Sequence, residues 1–192
     1  MNDFKNHLIY YCEVIFLKII KRISNFFDNI SHDIRLFNLK PSLIVGAVTL
    51  CLGIASWIIG GRADKVTLFF LLPRSAISIG FMYFLWFVSF AFVGIVLGGV
   101  LFGCEKFKRR EASKAITFII LSFIFTLCIY PIFFKCLAPF ITLIFILVSA
   151  FFCFLAIMSC IRIYSLWTLC LMIHLLWLFY NGYLSFAIAL IN

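Results

Sequence analysis

Five long apolar stretches make up most of this chain, and they limit the folds that it can adopt. They are separated by short polar segments and lie at about residues 42–60, 77–103, 115–134, 139–160 and 165–192. An α-helix needs about 20 apolar residues to cross the hydrocarbon core of a bilayer. The stretches are continuous rather than short and alternating, which favours helices over the strands of a membrane β-barrel. We therefore predict an all-α, polytopic membrane protein whose residues 41–192 form a bundle of five transmembrane helices.

The composition supports the same class of protein. Hydrophobic residues make up 66% of the 192 residues and charged residues only 12%, with a mean hydropathy of +1.20. A soluble domain of this size could not keep so much apolar surface away from water. The eight cysteines are scattered without a C-x-x-C pair, and most lie inside the apolar stretches. Neither a disulfide framework nor a metal site is expected from them.

Residues 1–40 form a separate, basic segment in front of the bundle. On a helix, one face would carry polar side chains, namely Lys18, Lys21, Arg22, Asn25, Asp28 and Asn29. The other face would carry apolar ones, namely Phe16, Ile19, Ile20, Ile23, Phe27 and Ile30. A basic amphipathic helix of this kind is typical of a segment that lies in the membrane interface. A partner-binding or regulatory role is the alternative.

The distribution of basic residues predicts how the bundle is oriented. The net charge is +9, and the lysines and arginines lie beside the apolar stretches, which favours contacts with anionic lipids over nucleic acid. Twelve of the 16 lie in the N-terminal segment and in the second and fourth connections, and four in the first and third. Basic connections stay in the cytoplasm. The N-terminus is therefore predicted to be cytoplasmic and the C-terminus to lie outside.

The fifth stretch carries its few polar side chains at helical spacing. His174, Trp177, Asn181 and Ser185 follow one another at steps of three and four residues, which places them on one face of a helix. That face should meet protein or ligand rather than lipid. Polar groups in membrane helices commonly join neighbouring helices, so two interpretations are open, a helix contact and a ligand site.

The second stretch combines aromatic and small residues on helical faces. Trp86, Phe90 and Gly94 are each one turn apart. Glycines also form two small-xxx-small pairs, Gly94 with Gly98 and Gly99 with Gly103. Such pairs let another helix approach closely. That helix belongs either to the same chain or to a second copy in a homodimer.

The apolar stretches lack the groups that several classes of membrane enzyme and transporter need. All seven acidic residues lie outside them, so a carboxylate acid/base pair or a proton relay has no place in the membrane. His174 is the only histidine within a stretch, one turn after Cys170, and we expect a neighbouring helix to satisfy it. An aromatic interior with few polar groups is typical of a site for a flat hydrophobic ligand.

Three segments resemble the tryptophan-rich sensory protein family, also called translocator proteins or peripheral benzodiazepine receptors. Residues 86–94 are similar to the family's W-x-x-x-[YF]-x-x-x-G in the second span, and residues 130–134 to its W-S-P-L-F-F at the end of the third. Residues 173–192 are similar to its terminal P-Y-x-x-W-x-x-x-A-x-x-L-N-x-x-x-x-x-L-N, with Trp177 in the Trp position. The family's first connection is rich in Pro and Trp and covers the ligand cavity, whereas residues 62–74 contain one Pro and no Trp.

The resemblance implies a membrane receptor for a porphyrin (tetrapyrrole) or a similar flat hydrophobic ligand. Its ligand-binding residues would be Trp86, Phe90, Thr126, Ile129, His174, Trp177 and Asn181. Thr126 and Ile129 replace an Asn and a Trp of the family, and Trp167 is expected to face lipid. No catalytic residue, metal or resident cofactor is expected. The expected partners are a porphyrin or heme-like ligand, membrane lipids and a second copy, in a bacterial cell membrane.

Two other functions stay open at this point. One is a porphyrin-photodegrading enzyme that uses Trp86 and Trp177, as in bacterial members of the family that the chain resembles. The other is a membrane interaction or scaffold protein without a ligand, which packs against other membrane proteins through its glycine faces.

Overall fold

A computed structural model describes residues 39–61, 70–73, 76–103, 109–163 and 165–192, together with positions 18, 21, 24 and 25. These residues contain helices and no strand, and five of the helices are long and apolar enough to cross a membrane. The helices are α1 (Leu39–Gly60), α2 (Ile79–Gly103), α3 (Arg109–Tyr130), α4 (Pro139–Cys160) and α5 (Ser165–Ile191). The prediction of an integral membrane protein with an all-α bundle of five transmembrane helices is confirmed.

The helices pack as a ring in which sequence neighbours are mostly spatial neighbours. α1 packs on α2, α3 on α4 and α4 on α5, while α2 also contacts α5 and α3. A further contact between α1 and α3 closes the ring. The most buried of the five is α2, and α1 is the most exposed. α2 is therefore the helix against which most of the core is built.

The starts of α3 and α4 have local physical reasons, and that of α3 differs from its apolar stretch. α3 begins at Arg109 rather than near residue 115, because its charged first turns can extend beyond the hydrocarbon. Glu111 and Lys114 form an ion pair of 3.0 Å there, at the i,i+3 spacing that faces one side of a helix. α4 begins at Pro139, where the missing N–H costs no helical hydrogen bond.

Proline changes the helix geometry at the end of α3. Pro131 begins a π-helical turn, Pro131–Lys135. Because proline has no N–H, the carbonyl of Leu127 loses the partner that a regular helix would give it. The Ser56 hydroxyl of α1 donates a hydrogen bond to this carbonyl at 2.6 Å. A short link follows, in which Leu137 has a φ of 50°, and α4 packs back against α3 as the short link predicted.

The glycines of α2 serve contacts inside the chain. A Cβ atom on Gly94 would lie 2.8 Å from the Cα of Gly46 in α1 and would clash with the Thr49 hydroxyl. A Cβ atom on Gly98 would lie 2.7 Å from the Cα of Ser42. A Cβ atom on Gly99 would lie 2.8 Å from the ring of Trp167. The small-residue faces therefore pack against α1 and α5 of the same chain.

A cluster of buried hydroxyl groups joins α3 to α4. The Thr126 hydroxyl lies 2.7 Å from the Ser149 hydroxyl, and the hydroxyls of Ser122 and Ser149 are 3.1 Å apart. The Ser149 hydroxyl also lies 2.9 Å from the Ser122 carbonyl. Hydroxyl pairs of this kind stabilise helix contacts in membranes, because lipid offers the groups no alternative partner.

Several sequence predictions fall mainly outside the described residues. The amphipathic face of residues 1–40 is one, although Lys18, Lys21 and Asn25 of its polar side are helical and exposed. Two more are the role of the first connection as a cover of the cavity, at residues 62–69, and the basic turn at residues 104–108.

Candidate functional site

The polar stripe of α5 faces the interior of the bundle. His174, Trp177, Asn181 and Ser185 are all buried, with His174 only 2% exposed. The prediction that this face meets protein or ligand instead of lipid is therefore correct. Asn181 is partly satisfied within its own helix, since its Nδ2 donates to the Trp177 carbonyl at 2.8 Å.

One hydrogen bond links the middle of α2 to α5. The Ser89 Oγ lies 2.5 Å from the His174 Nδ1, and both side chains are buried. The other ring nitrogen, His174 Nε2, is buried and has no hydrogen-bond partner among the described residues. This contact satisfies the only histidine of the apolar stretches in part, from a neighbouring helix as the sequence suggested.

Trp86 and Phe90 lie in the aromatic core between α2 and α3. Trp86 is 0% exposed, and its ring centroid lies 4.3 Å from that of Tyr130 and 4.8 Å from that of Phe90. Phe90 in turn meets Phe123 edge-on at 5.3 Å. The indole N–H of Trp86 has no partner among the described residues. The two predicted site residues are thus brought together, but they are packed against α3 rather than across from Trp177.

A groove of about 360 Å³ lies between α2 and α5, next to the Ser89–His174 contact. It is lined by Ile77, Phe81, Leu85, Val88, Ser89, Ile173, Leu176, Trp177 and Tyr180. The rings of Trp177 and Tyr180 are stacked, with centroids 5.5 Å apart and planes at 20°. Phe81, Ile173 and Leu176 are exposed on helices that span the membrane. The groove therefore opens sideways into the hydrocarbon.

Ile77, which lies just before α2, lines the groove beside Tyr180. The backbone N–H of Ile77 donates to the Tyr180 hydroxyl at 3.1 Å. Further along, the Leu71 N–H donates to Asn192 Oδ1 at 2.8 Å, and Asn192 Nδ2 donates to the Leu71 carbonyl at 3.3 Å. These bonds hold Leu71 and Ile77 against α5, so the position of Ile77 at the groove is fixed.

The remaining predicted site residues lie away from the groove. Thr126 belongs to the hydroxyl cluster between α3 and α4. Ile129 and Asn181 line a second, much smaller cavity of about 10 Å³, together with Tyr130 and Ser185. That volume is about enough for one water molecule. Of the seven predicted residues, only Trp177 lines the groove, while His174 contacts the groove residue Ser89.

The expectation that Trp167 faces lipid is wrong. Its side chain is 4% exposed and its ring packs over Gly99 of α2. Sequence spacing could have shown this, because Trp167 lies seven residues before His174, two turns along the same face. A glycine on the facing helix then leaves room for the indole ring.

Sequence reasoning also missed most of the groove. The α2 side of the groove is formed by Phe81, Leu85 and Ser89, at steps of four residues, which is one helical face. Ser89 was the available signal, since a hydroxyl in a strongly apolar span calls for a partner and His174 was the histidine in need of one. The apolar residues around it carried no signal that separates a groove from a lipid-facing surface.

Comparison with known protein families gives no family model that matches the chain, and no curated protein matches it significantly. The resemblance drawn from three sequence segments stays a prediction.

Proposed function

We propose that the protein is an integral membrane receptor that binds a flat hydrophobic ligand, such as a porphyrin, in the groove between α2 and α5. The observation that carries this proposal is the apolar groove of about 360 Å³ beside the stacked rings of Trp177 and Tyr180. Pockets for small molecules measure about 300–1,000 Å³, so the groove is at the lower end of the range. A compact ring would fill it, and a larger one would extend through the opening into lipid.

The physical reason for binding differs from that of a soluble pocket. A hydrophobic ligand gains little by leaving lipid for an apolar groove, because both are free of water. Stacking on preformed aromatic faces and close fit are the terms that favour the bound state. The side chain of Trp177 is held in place because it is buried in the bundle. That of Tyr180 is held by the hydrogen bond from the Ile77 N–H.

The glycine faces bear on the alternative of a ligand-free interaction protein. That alternative was motivated by Gly94, Gly98 and Gly99, which pack against the chain's own helices. A homodimer, which we keep as a proposal, would therefore use a different surface. Membrane lipids are the other partners that we propose.

Replacing Trp177 by alanine should weaken the binding of a porphyrin roughly 5- to 150-fold. Aromatic stacks of this kind are worth about 1–3 kcal/mol each by truncation, and about 1.4 kcal/mol corresponds to a tenfold change in affinity. Trp177→Phe should cost less, because it retains a ring in the wall of the groove. The purified protein in nanodiscs is titrated with protoporphyrin. Binding is measured from the fluorescence of protoporphyrin, since the variant lacks a tryptophan.

Phe179→Ala is the matched control for that change. Phe179 lies on the same helix, two residues away, and is 56% exposed outside the groove. It should bind porphyrin as the wild type does. Equal affinities for Trp177→Ala and Phe179→Ala would show that the groove is not the porphyrin site.

We also propose that the protein lies in a bacterial cell membrane, as the family resemblance implies. The twelve-to-four distribution of basic residues supports a cytoplasmic N-terminus. Two native cysteines test the orientation. Cys136 is exposed in the third connection, and Cys104 lies in the second by sequence. In intact cells, an impermeant thiol reagent should label a variant that keeps only Cys136 and spare one that keeps only Cys104. Both should react after permeabilisation, and the reverse pattern in intact cells would invert the proposed topology.

A further inference from the structure

Ser89 places a hydroxyl on the α2 wall of the groove. Ser89 and His174 carry two polar hydrogens between them but share one hydrogen bond, so one of these hydrogens has no partner in the described part of the chain. Among the described residues the partner of Ser89 is His174 Nδ1, at 2.5 Å. Either group can donate in this pair, because the proton of a neutral imidazole sits on one ring nitrogen or on the other. The two arrangements leave different atoms unsatisfied.

The first arrangement leaves its unpaired hydrogen on an atom that does not line the groove. If the Ser89 hydroxyl donates to Nδ1, the proton of His174 sits on Nε2, which is buried without a partner. A buried N–H that lacks an acceptor loses its full solvation, and no water inside the hydrocarbon can replace it. If Nδ1–H donates to Ser89 instead, Nε2 keeps an unpaired lone pair and the unpaired hydrogen is that of the Ser89 hydroxyl, which lines the groove.

The second arrangement frees the hydroxyl hydrogen of Ser89. A serine in a helix can turn its hydroxyl back to the carbonyl four residues earlier, which here is Leu85, but the structure shows no such bond. Because Ser89 lines the groove, an acceptor placed in the groove can take this hydrogen.

A second unpaired donor lies on the opposite wall. The indole N–H of Trp177 is buried and has no hydrogen-bond partner among the described residues, and Trp177 also lines the groove. Because that N–H is itself shielded, Ser89 is the donor that a ligand in the groove can reach. A ligand that matches Ser89 supplies an acceptor and no donor of its own, since an added donor would go unsatisfied.

We propose that the ligand of this groove is a flat ring compound with a carbonyl oxygen at its edge, of the quinone or aryl ketone class, and that Ser89 donates a hydrogen bond to that oxygen. Trp177 and Tyr180 stack with the ring. A neutral carbonyl suits the site better than a carboxylate, because the described groove residues include no cation to pair a charge. This inference rests on the proposed function and, within its class of flat hydrophobic ligands, favours a neutral ring carbonyl compound over a porphyrin.

The test compares a quinone with a hydrocarbon of the same shape. Saturable binding of naphthoquinone and of dimethylnaphthalene is measured by equilibrium dialysis against the full chain in nanodiscs, with empty nanodiscs as the blank. The wild type should bind naphthoquinone about 5- to 10-fold more tightly, the usual worth of one net hydrogen bond. Ser89→Ala should lose that preference and keep its affinity for dimethylnaphthalene.

Two further variants keep the result interpretable. Ser89→Thr retains the hydroxyl and should retain the preference. Ser113→Ala removes an exposed serine of α3 and should behave as the wild type. Binding of dimethylnaphthalene to each variant reports that the groove is folded.

The outcomes separate this inference from the function on which it rests. If neither compound binds saturably to the wild type while protoporphyrin does, the carbonyl class is overturned and the receptor function stands. If none of the three binds, the receptor function is overturned as well. If both bind equally, an apolar ligand site stands and the carbonyl class is overturned. If the preference persists in Ser89→Ala, the role of Ser89 is overturned.

Discussion

Replacing Trp86 by alanine should destabilise the folded bundle by about 3 kcal/mol, the low end of the range for removing an aromatic side chain from a core. Trp86 is completely buried and contacts both Tyr130 and Phe90. In a membrane the loss comes from van der Waals contacts and the cavity left behind, since lipid cannot enter the interior to replace the ring. The free energy of unfolding is measured by titration with SDS in mixed micelles, with the loss of helix monitored by circular dichroism.

Two variants separate packing from other effects at Trp86. Trp86→Phe keeps a ring against Tyr130 and removes an indole N–H that has no partner among the described residues. It should cost less than about 1.5 kcal/mol. Phe84→Ala, two residues away and 59% exposed, should be nearly neutral. If Trp86→Ala unfolds at the SDS concentration of Phe84→Ala, Trp86 does not stabilise the core.

Replacing Gly94 by leucine should destabilise the contact between α1 and α2 by about 1–3 kcal/mol or more, as overpacking of a tight interface does. The first added carbon already meets the Cα of Gly46 and the Thr49 side chain. A flexible side chain can move aside, but the backbone of α1 cannot without separating the two helices. The same SDS titration should show unfolding at a lower SDS concentration than the wild type.

Gly80 provides the matched glycine on the same helix. A Cβ atom there would have no atom within 4 Å, so Gly80→Leu should leave the stability unchanged. Size-exclusion chromatography of Gly94→Leu adds a second readout. If Gly94→Leu is as stable as the wild type but converts a dimer to a monomer, Gly94 serves a contact between two copies and not the contact between α1 and α2.

The five helices could be predicted because transmembrane spans are limited by one physical quantity, the thickness of the hydrocarbon. Apolar length alone located the helices, and it failed where charged residues continue a helix beyond the membrane, as at Arg109. The face of α5 that carries His174, Trp177 and Asn181 could also be predicted, because helical spacing assigns residues to a face.

The partner of each buried side chain could not be predicted in the same way. Spacing shows that Trp86 and Trp177 lie on interior faces, but the relative rotation of two helices depends on packing at many positions. In the structure the ring of Trp86 meets Tyr130 and the ring of Trp177 meets Tyr180. Thr126 likewise contacts Ser149 of α4. The candidate site therefore moved to a groove that only the three-dimensional arrangement reveals.

The hydroxyl cluster of Ser122, Thr126 and Ser149 has a consequence for how the chain enters the bilayer. These groups are satisfied entirely within the pair of α3 and α4. The link between the two helices is only a few residues long, so they meet as soon as both are made. The pair can thus leave the insertion machinery as one helical hairpin, with the hydroxyls of this cluster already paired, before α5 is synthesised.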